Sequence, residues 1–465
     1  MATKLGLFLI IYIFYSSFFS LALPADAPPG DIESWCSTTP HPEPCKFFMS
    51  HSSHHSAPTQ RAGFRTMMVE LAMERALHGQ TQARQLGQRC RNKRKKAAWR
   101  DCLNLFDDTI FHLNRTLKGL QSNVSSDFDA QTWLSSALTS LDTCREVSLQ
   151  LNVSDFISPL MSNNVSELIS NSLAINGVLV QEEEYTDGFP SWVSDGERKL
   201  LQSSSLAARA NVTVAKDGSG SFRTIQAAIN AAAKTSGNER FIIYVKRGVY
   251  MENIEIGRNL NNIMLGLMAL DSLLVALHFR NTAGPQGGQA VALRSASDLS
   301  VFYACSFEGY QDTLFVLSQR QFYKSCYIYG TIDFIFGNAA VVFQNCVIYV
   351  RKPLIGQANV ITAQGRDDPF QNTGISIHNS RVHGGAGPQA GEGWLEWNNS
   401  AFALDTLYYG EYMNFGPGSS TANRVKWGGY QVITSANVAG QFTVGSFIGG
   451  RAWLPSTGVP FTAGL

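Results

Sequence analysis

The stretch from Phe302 to Cys346, FYACSFEGYQDTLFVLSQRQFYKSCYIYGTIDFIFGNAAVVFQNC, repeats on itself. Cys305, Cys326 and Cys346 stand 21 and 20 residues apart, and each follows an aromatic residue (Phe302, Tyr323, Phe343) by three positions. A β-rich, glycine-punctuated period of this length is that of a stacked solenoid, whose units bury their apolar faces against one another. On the same ruler Asp312 and Asp333 each lie seven residues after their cysteine. They therefore occupy equivalent places on successive coils, about 4.8 Å apart in the hydrogen-bonding direction. Two carboxylates that close do not both ionise at their free values. One is pushed up and keeps its proton while the other stays charged, which supplies an acid beside a nucleophile or base. Gln311, next to Asp312, offers an amide N–H to a developing oxyanion.

At these residues the chain resembles the plant pectinesterases (pectin methylesterases). The resemblance is carried by GYQDTL (309–314), QRQFY (319–323) and GTIDFIFGNAAVVFQNC (330–346), and by FRNTAGP (279–285) and QAVALR (289–294) upstream. Downstream it continues through TAQGR (362–366) and FALDTLYYGEYMNFGPGSSTANRVKW (402–427). It implies a right-handed parallel β-helix over residues 208–465. It also implies an aspartyl esterase that cleaves methyl esters of cell-wall homogalacturonan to methanol and pectate, with no metal and no cofactor. By resemblance Asp333 is the nucleophile, Asp312 the acid and then the base, and Gln289 and Gln311 the oxyanion-stabilising amides. Tyr310 and Phe334, beside the two acids, are candidates for contact with the substrate, and Cys305–Cys326 is an expected disulfide.

Two departures bear on activity. The family has a longer segment between Gly257 and Phe279, where this chain runs GRNLNNIMLGLMALDSLLVALHF, a compressed and helix-like stretch. Between His383 and Trp394 the family carries a Leu-Gly-Arg-Pro-Trp motif whose Arg holds the nucleophilic Asp; here no Arg lies between Arg381 and Arg424. Trp394 and Trp397 belong to the block that follows and do not replace the motif's Trp. Ser380 stands 34 residues after Cys346, where the family commonly has a disulfide partner, so Cys346 is expected to be a free thiol. Impaired catalysis is therefore the expectation for the chain as written. The alternatives are a catalytically weakened β-helix that still binds pectin, or an inhibitor protein acting through its N-terminal part.

That N-terminal part is of another kind. Trp99, Leu103, Phe106, Ile110, Leu113 and Leu117 recur at helical spacing, and Asp127–Gln150 and Val153–Asn176 carry similar patterns. Four or more such helices with short joins make an all-α bundle over residues 31–180. Its cysteine spacing resembles that of the pectinesterase-inhibitor family, a four-helix bundle whose disulfides would here be Cys36–Cys45 and Cys102–Cys144, leaving Cys90 over. An intramolecular contact between this inhibitor-like bundle and the enzyme is a corresponding expectation. The basic run Arg89–Arg100 reads as a solvated helix end. The His51, His54, His55 group lacks nearby acidic or cysteine co-ligands and reads as a loop, not a metal site.

The remaining segments set the compartment. Residues 1–25 hold one Lys, the apolar run Leu5–Leu21 and then small residues at Ala22 and Ala25, the pattern of a secretory signal peptide. Six Asn-x-Ser/Thr sequons, at Asn114, Asn123, Asn152, Asn164, Asn211 and Asn398, agree with a secreted, extracellular glycoprotein of the cell wall. The net charge of +1 argues against nucleic acid as a partner. Residues 1–201 carry 18 basic and 21 acidic side chains and residues 202–465 carry 19 and 15, so the C-terminal part is the one suited to an acidic polysaccharide. Residues 181–207 are a linker without periodicity, holding Arg198-Lys199-Leu200-Leu201, a basic pair open to a processing protease. Chain extracted from the wall should therefore begin at Gln202. N-terminal sequencing that reads intact chain through Leu201 would count against cleavage there.

Overall fold

The computed structural model describes residues 32–51, 58, 60–90, 92–122, 125–177, 185–186, 189–190, 210–234, 241–256, 260, 263–266, 277–384, 393–397 and 400–465. The expected signal peptide and the Arg198–Leu201 site lie outside the described residues, as does most of the helix-like stretch after Gly257. Within that stretch Ile263–Gly266 is a strand, paired in parallel with Phe241–Val245. No described helix is long and apolar enough to cross a membrane.

The N-terminal part is helical: α1 (Ile32–Ser37), α2 (Pro42–His51), α3 (Arg61–Leu86), α4 (Lys93–Ser122), α5 (Asp127–Gln150), α6 (Ser154–Met161) and α7 (Val165–Asn176). Helix α5 begins where its capping box dictates, with Ser126 Oγ accepting from the Asp129 amide and the Asp129 carboxylate accepting from the Ser126 amide. The expected single helix over Val153–Asn176 is two helices, because Asn164 sits at φ 59°, outside helical space. Phe64, Met68, Phe106, Leu113, Leu134, Leu141 and Leu168 fill the bundle core. Both expected disulfides are formed: Cys36–Cys45 joins α1 to α2, and Cys102–Cys144 staples α4 to α5.

The C-terminal part is a parallel solenoid with three faces. Sheet A holds Leu293–Ser295, Leu314–Val316, Ile335–Gly337 and Thr362–Gln364. Sheet B holds Ser300–Tyr303, Arg320–Lys324, Ala340–Gln344 and Gly374–His378. Sheet C holds His278–Arg280, Ser306–Glu308, Tyr327–Gly330, Val347–Val350 and Arg381–Gly384. Every pair within these sheets is parallel, and Phe302, Tyr323 and Phe343 align and stack at 4.6 and 4.7 Å. Sheet B is buried on both sides, since Val444, Ile448, Trp453 and Leu454 pack on its outer face against Phe322 and Val342. Helix α8 (Ile225–Ala232), capped by Thr224, covers the open end. Val249–Ile256, though its β-branched residues suit a strand, joins no sheet. Its Glu252 accepts from the Ile225 and Gln226 amides at the start of α8, so this stretch caps a helix instead of extending a ladder.

The cysteine ruler has a structural cause. Ala304, Ser325, Asn345 and Asn379 all take positive φ, which turns each coil from sheet B into sheet C. The next residue in each case donates to the carbonyl two positions back: Cys305 to Tyr303, Cys326 to Lys324, Cys346 to Gln344 and Ser380 to His378, at 3.0–3.6 Å. The expected Cys305–Cys326 bridge is absent, and Cys305, Cys326 and Cys346 are all buried free thiols committed to backbone carbonyls. Ser380 fills the fourth place in the column with the same hydrogen bond, which is how the stack accommodates it.

Helix α5 lies along the turns between sheets A and B. Its Thr132, Ser135 and Thr139 hydroxyls meet Asn372, Gln371 and Asn338 at 2.9–3.2 Å. Arg320, almost fully buried, pairs with Asp298 on the solenoid and Asp129 on α5, both at 2.7 Å. Trp133 Nε1 adds a donor to Asp298. Further along the seam Asp142 faces Asp367 and Asp368, with Arg145 one turn on; burial and then Asp367 push its carboxyl up to about 7. A carboxyl whose pKa rises on folding gives stability that is fully present below its ordinary value of 3.8 and lost as pH climbs through about 7. Protection factors of the α5 amides, corrected for the intrinsic pH dependence of exchange, should thus be higher at about pH 4 than at about pH 7, and Asp142→Asn should flatten the difference. Equal protection at both pH values in the parent chain would refute this account.

Candidate active site

Two turns from sheet C into sheet A build the site. Gly309–Thr313 leads into Leu314, and Gly330–Phe334 leads into Ile335, with Leu314 and Ile335 register partners. Asp312 and Asp333 are each two residues before those partners, so the ruler places them on adjacent rungs. Both sit at positive φ, 60° and 47°, where the backbone is strained for a residue with a side chain. The turns are tied to one another: Asp312 N–H donates to the Ile332 carbonyl at 3.0 Å and Thr331 N–H to the Tyr310 carbonyl at 2.9 Å.

The two acids differ electrically. Asp312 is buried, and burial first, then the Asp333 charge, push it up to about 7, opposed by a hydrogen bond from the Gln289 amide. Asp333 is raised by burial. The neighbour's charge thus acts on Asp312 alone, on top of the burial that raises both. Two arginines flanking the missing motif have other partners. Arg366 donates to the Gln371 carbonyl at 3.1 Å, and the buried Arg424 is bound to Glu411 at 2.6 Å. Trp394 packs against Tyr409, and Trp397 is exposed.

The other expected residues divide. Gln289 reaches Asp312 from the preceding coil. Gln311 is half-buried, its carbonyl accepting from the Ala290 amide at 3.2 Å, so the coils bearing the two amides are joined at this point. Tyr310 is half-buried under the Arg351 guanidinium, 4.8 Å from its ring centre. Phe334 is a correction. It is fully buried in the solenoid core, packed where Gly330 leaves room, and cannot contact a polysaccharide. The aromatic residues that do face outward on sheet A are Phe315 and Phe336, stacked at 4.4 Å and flanked by Arg294. They lie three residues after each Asp, a second beat of the same ruler that the sequence already displays.

If Asp333 carries the charge that raises Asp312, then Asp333→Asn should lower the Asp312 pKa from about 7 while burial keeps it above 3.8. Carboxyl ¹³C titration by NMR reads this directly. An Asp312 titration unmoved by the substitution would show that the carboxylates do not interact.

The comparisons with known proteins agree with this architecture. A family model described as Pectinesterase matches residues 211–268, 267–390 and 388–451, and one described as Plant invertase/pectin methylesterase inhibitor matches residues 30–175. The chain is 50% identical to Probable pectinesterase/pectinesterase inhibitor 33 of Arabidopsis thaliana, over 94% of this chain and 86% of that one. It is 48% identical to Pectinesterase 2 of Citrus sinensis, over 94% and 95% of the two chains. Among solved structures, Pectin methylesterase from Carrot superposes with a TM-score of 0.53 at 41% identity, covering 57% of this chain and all of that one. On the parallel solenoid, its paired acids and these matches, the chain belongs to the pectinesterase family and carries the family's inhibitor-like helical region at its N-terminus.

Proposed function

We propose that this chain is a secreted pectinesterase of the plant cell wall, which hydrolyses methyl esters of homogalacturonan with Asp333 and Asp312. The observation that carries the reading is the pair of carboxylates held on adjacent rungs with unequal affinity for a proton. Ionised Asp333 attacks the ester carbonyl carbon, and the carbonyl electrons move onto oxygen. Gln289 and Gln311 donate to that oxyanion. As the tetrahedral intermediate collapses, Asp312 protonates the departing methoxide and methanol leaves, with the acyl group joined to Asp333 as an anhydride. Asp312, now charged, takes a proton from water, whose oxygen attacks the acyl carbon. Asp333 is released ionised, Asp312 is reprotonated, and the new uronic acid gives its proton to solvent, leaving a free carboxylate on the polymer. The outward Phe315 and Phe336, with Tyr310 at the edge, offer apolar contact to the sugar ring.

The acid role of Asp312 is lost as pH rises through about 7. The bundle is read as a pro-region docked through α5 beside sheet A, where it restricts access until the linker is cut after Leu201. Sequons and disulfides fit secretion into an oxidising compartment.

One observation favours a second reading, a pectin-binding solenoid of low activity: burial raises Asp333, and among the described residues no charged hydrogen bond to it is seen to oppose this. A missing charge partner at a catalytic carboxylate costs on the order of a few kcal/mol, and each 1.36 kcal/mol is tenfold in rate. The Gln202–Leu465 chain should therefore release methanol from methylated pectin at least ~100-fold more slowly than a version with the two family segments restored. Asp333→Asn should abolish what remains. Equal rates for the two versions would mean that another residue performs the missing Arg's role.

A further inference from the structure

Sheet C carries a surface that the ester chemistry does not use. Arg280, Glu308, Tyr329, Tyr349 and His383 are register partners on five successive strands. Tyr349 and His383 are solvent-exposed. The Tyr329 and Tyr349 rings stack at 4.9 Å and 4°, and Tyr349 and His383 at 5.0 Å and 19°. Face-to-face stacking along the axis hides the ring faces and turns the edges outward. The phenol hydroxyls of Tyr329 and Tyr349 thus form a row one strand spacing apart. Neither makes a hydrogen bond among the described residues.

The charges around this row are mostly positive. Arg280 and Arg381 are exposed, and the Arg351 guanidinium lies over Tyr310 and Tyr329. The one carboxylate in the column, Glu308, is already held by His278, Arg280 and Arg351. Helix α5 makes its contacts on the far side of the coils, at the turns between sheets A and B. What the described residues leave uncovered is a linear array of phenol donors and guanidinium cations, running along the solenoid axis past the turns that carry Asp312 and Asp333.

We propose that the outer face of sheet C is a second polysaccharide-binding strip, and that its ligand is the de-esterified, polyanionic form of the polymer. Free uronate carboxylates gain charge-assisted hydrogen bonds from such a row, whereas methyl esters gain none of the charge. The repeat along one axis suits a linear polymer lying along the coils. The strip holds product chain while the neighbouring groove on sheet A takes up the next ester. The choice of polymer rests on the pectinesterase reading, but the binding does not require turnover.

Calorimetric titration of the full chain with polygalacturonate tests this, with a neutral galactan as control. Binding of polygalacturonate should weaken with added salt. The double variant Tyr349→Ala/Arg381→Glu should bind at least ~10-fold more weakly, about 1.4 kcal/mol. Tyr349→Phe, which keeps the ring stack, should lose a smaller part, and this excludes misfolding as the cause. Variants that bind polygalacturonate like the parent, or a parent that binds the galactan equally well, would overturn the proposal. Loss of methanol release from methylated pectin with binding intact would instead count against the esterase reading alone.

Discussion

Parallel strands in register, one rung above another, are the constraint on which the rest of this molecule depends. A register of 20 or 21 residues returns each side chain to the same column one strand spacing later. Apolar columns then stack into a continuous core, as Phe302, Tyr323 and Phe343 do. The same geometry brings together groups that would otherwise stay apart. Two unit charges about 5 Å apart repel by roughly 3 kcal/mol at an effective dielectric of ~20. The fold supplies that contact because the hydrogen-bonded ladders on either side hold the turns in place. Glycine appears where the spacing leaves no room. A Cβ on Gly337 would lie 2.2 Å from the Val316 carbonyl oxygen one coil away.

The seam between bundle and solenoid follows different physics. It is a row of hydroxyls on one helix meeting a row of side-chain amides at the coil turns, closed by a buried Arg320 between Asp298 and Asp129. Such contacts contribute little net free energy when made and cost much when one partner is removed. Recognition here is therefore a matter of register. Thr132, Ser135 and Thr139 recur at the helical spacing, and Asn338 and Asn372 project from the turns that precede successive sheet B strands. Both halves must be fully folded before the two rows match.

The solenoid was legible because its signal is a repeat, and a repeat survives ignorance of detail. Asp312, Asp333 and the α4 apolar stripe were readable for that reason, and Gln289 by its resemblance to the family's motif. The misses come from local backbone events that periodicity does not encode. Phe334 adjoins Asp333, but the positive φ at Asp333 resets the alternation, so Phe334 points inward and Phe336 outward. The break near Asn164 splits an otherwise helical pattern in the same way. Cys305 and Cys326 looked like a bridge by family resemblance, yet each thiol meets a nearby carbonyl. Val249–Ile256 has strand-forming residues, and only the contact of Glu252 with two distant amides shows that it serves a helix end.

What separates the roles of the two acids in this chain is now a narrow matter. In an isolated equivalent pair the proton has no preferred home, and the two titrations belong to the pair. Gln289 stabilises the charged form of Asp312, which works against its use as the acid, while burial and the Asp333 charge work the other way and prevail. A guanidinium beside Asp333 would widen the gap by favouring its ionised form. Without one, the difference rests on the neighbour's charge, since burial raises both groups and only Asp312 is raised further by Asp333. Burial of both acids is set by the coils above and below, so a shortened coil near the site changes how strongly each is raised as well as the shape of the groove. The chemistry of the pair and the completeness of the stack are in this sense the same property.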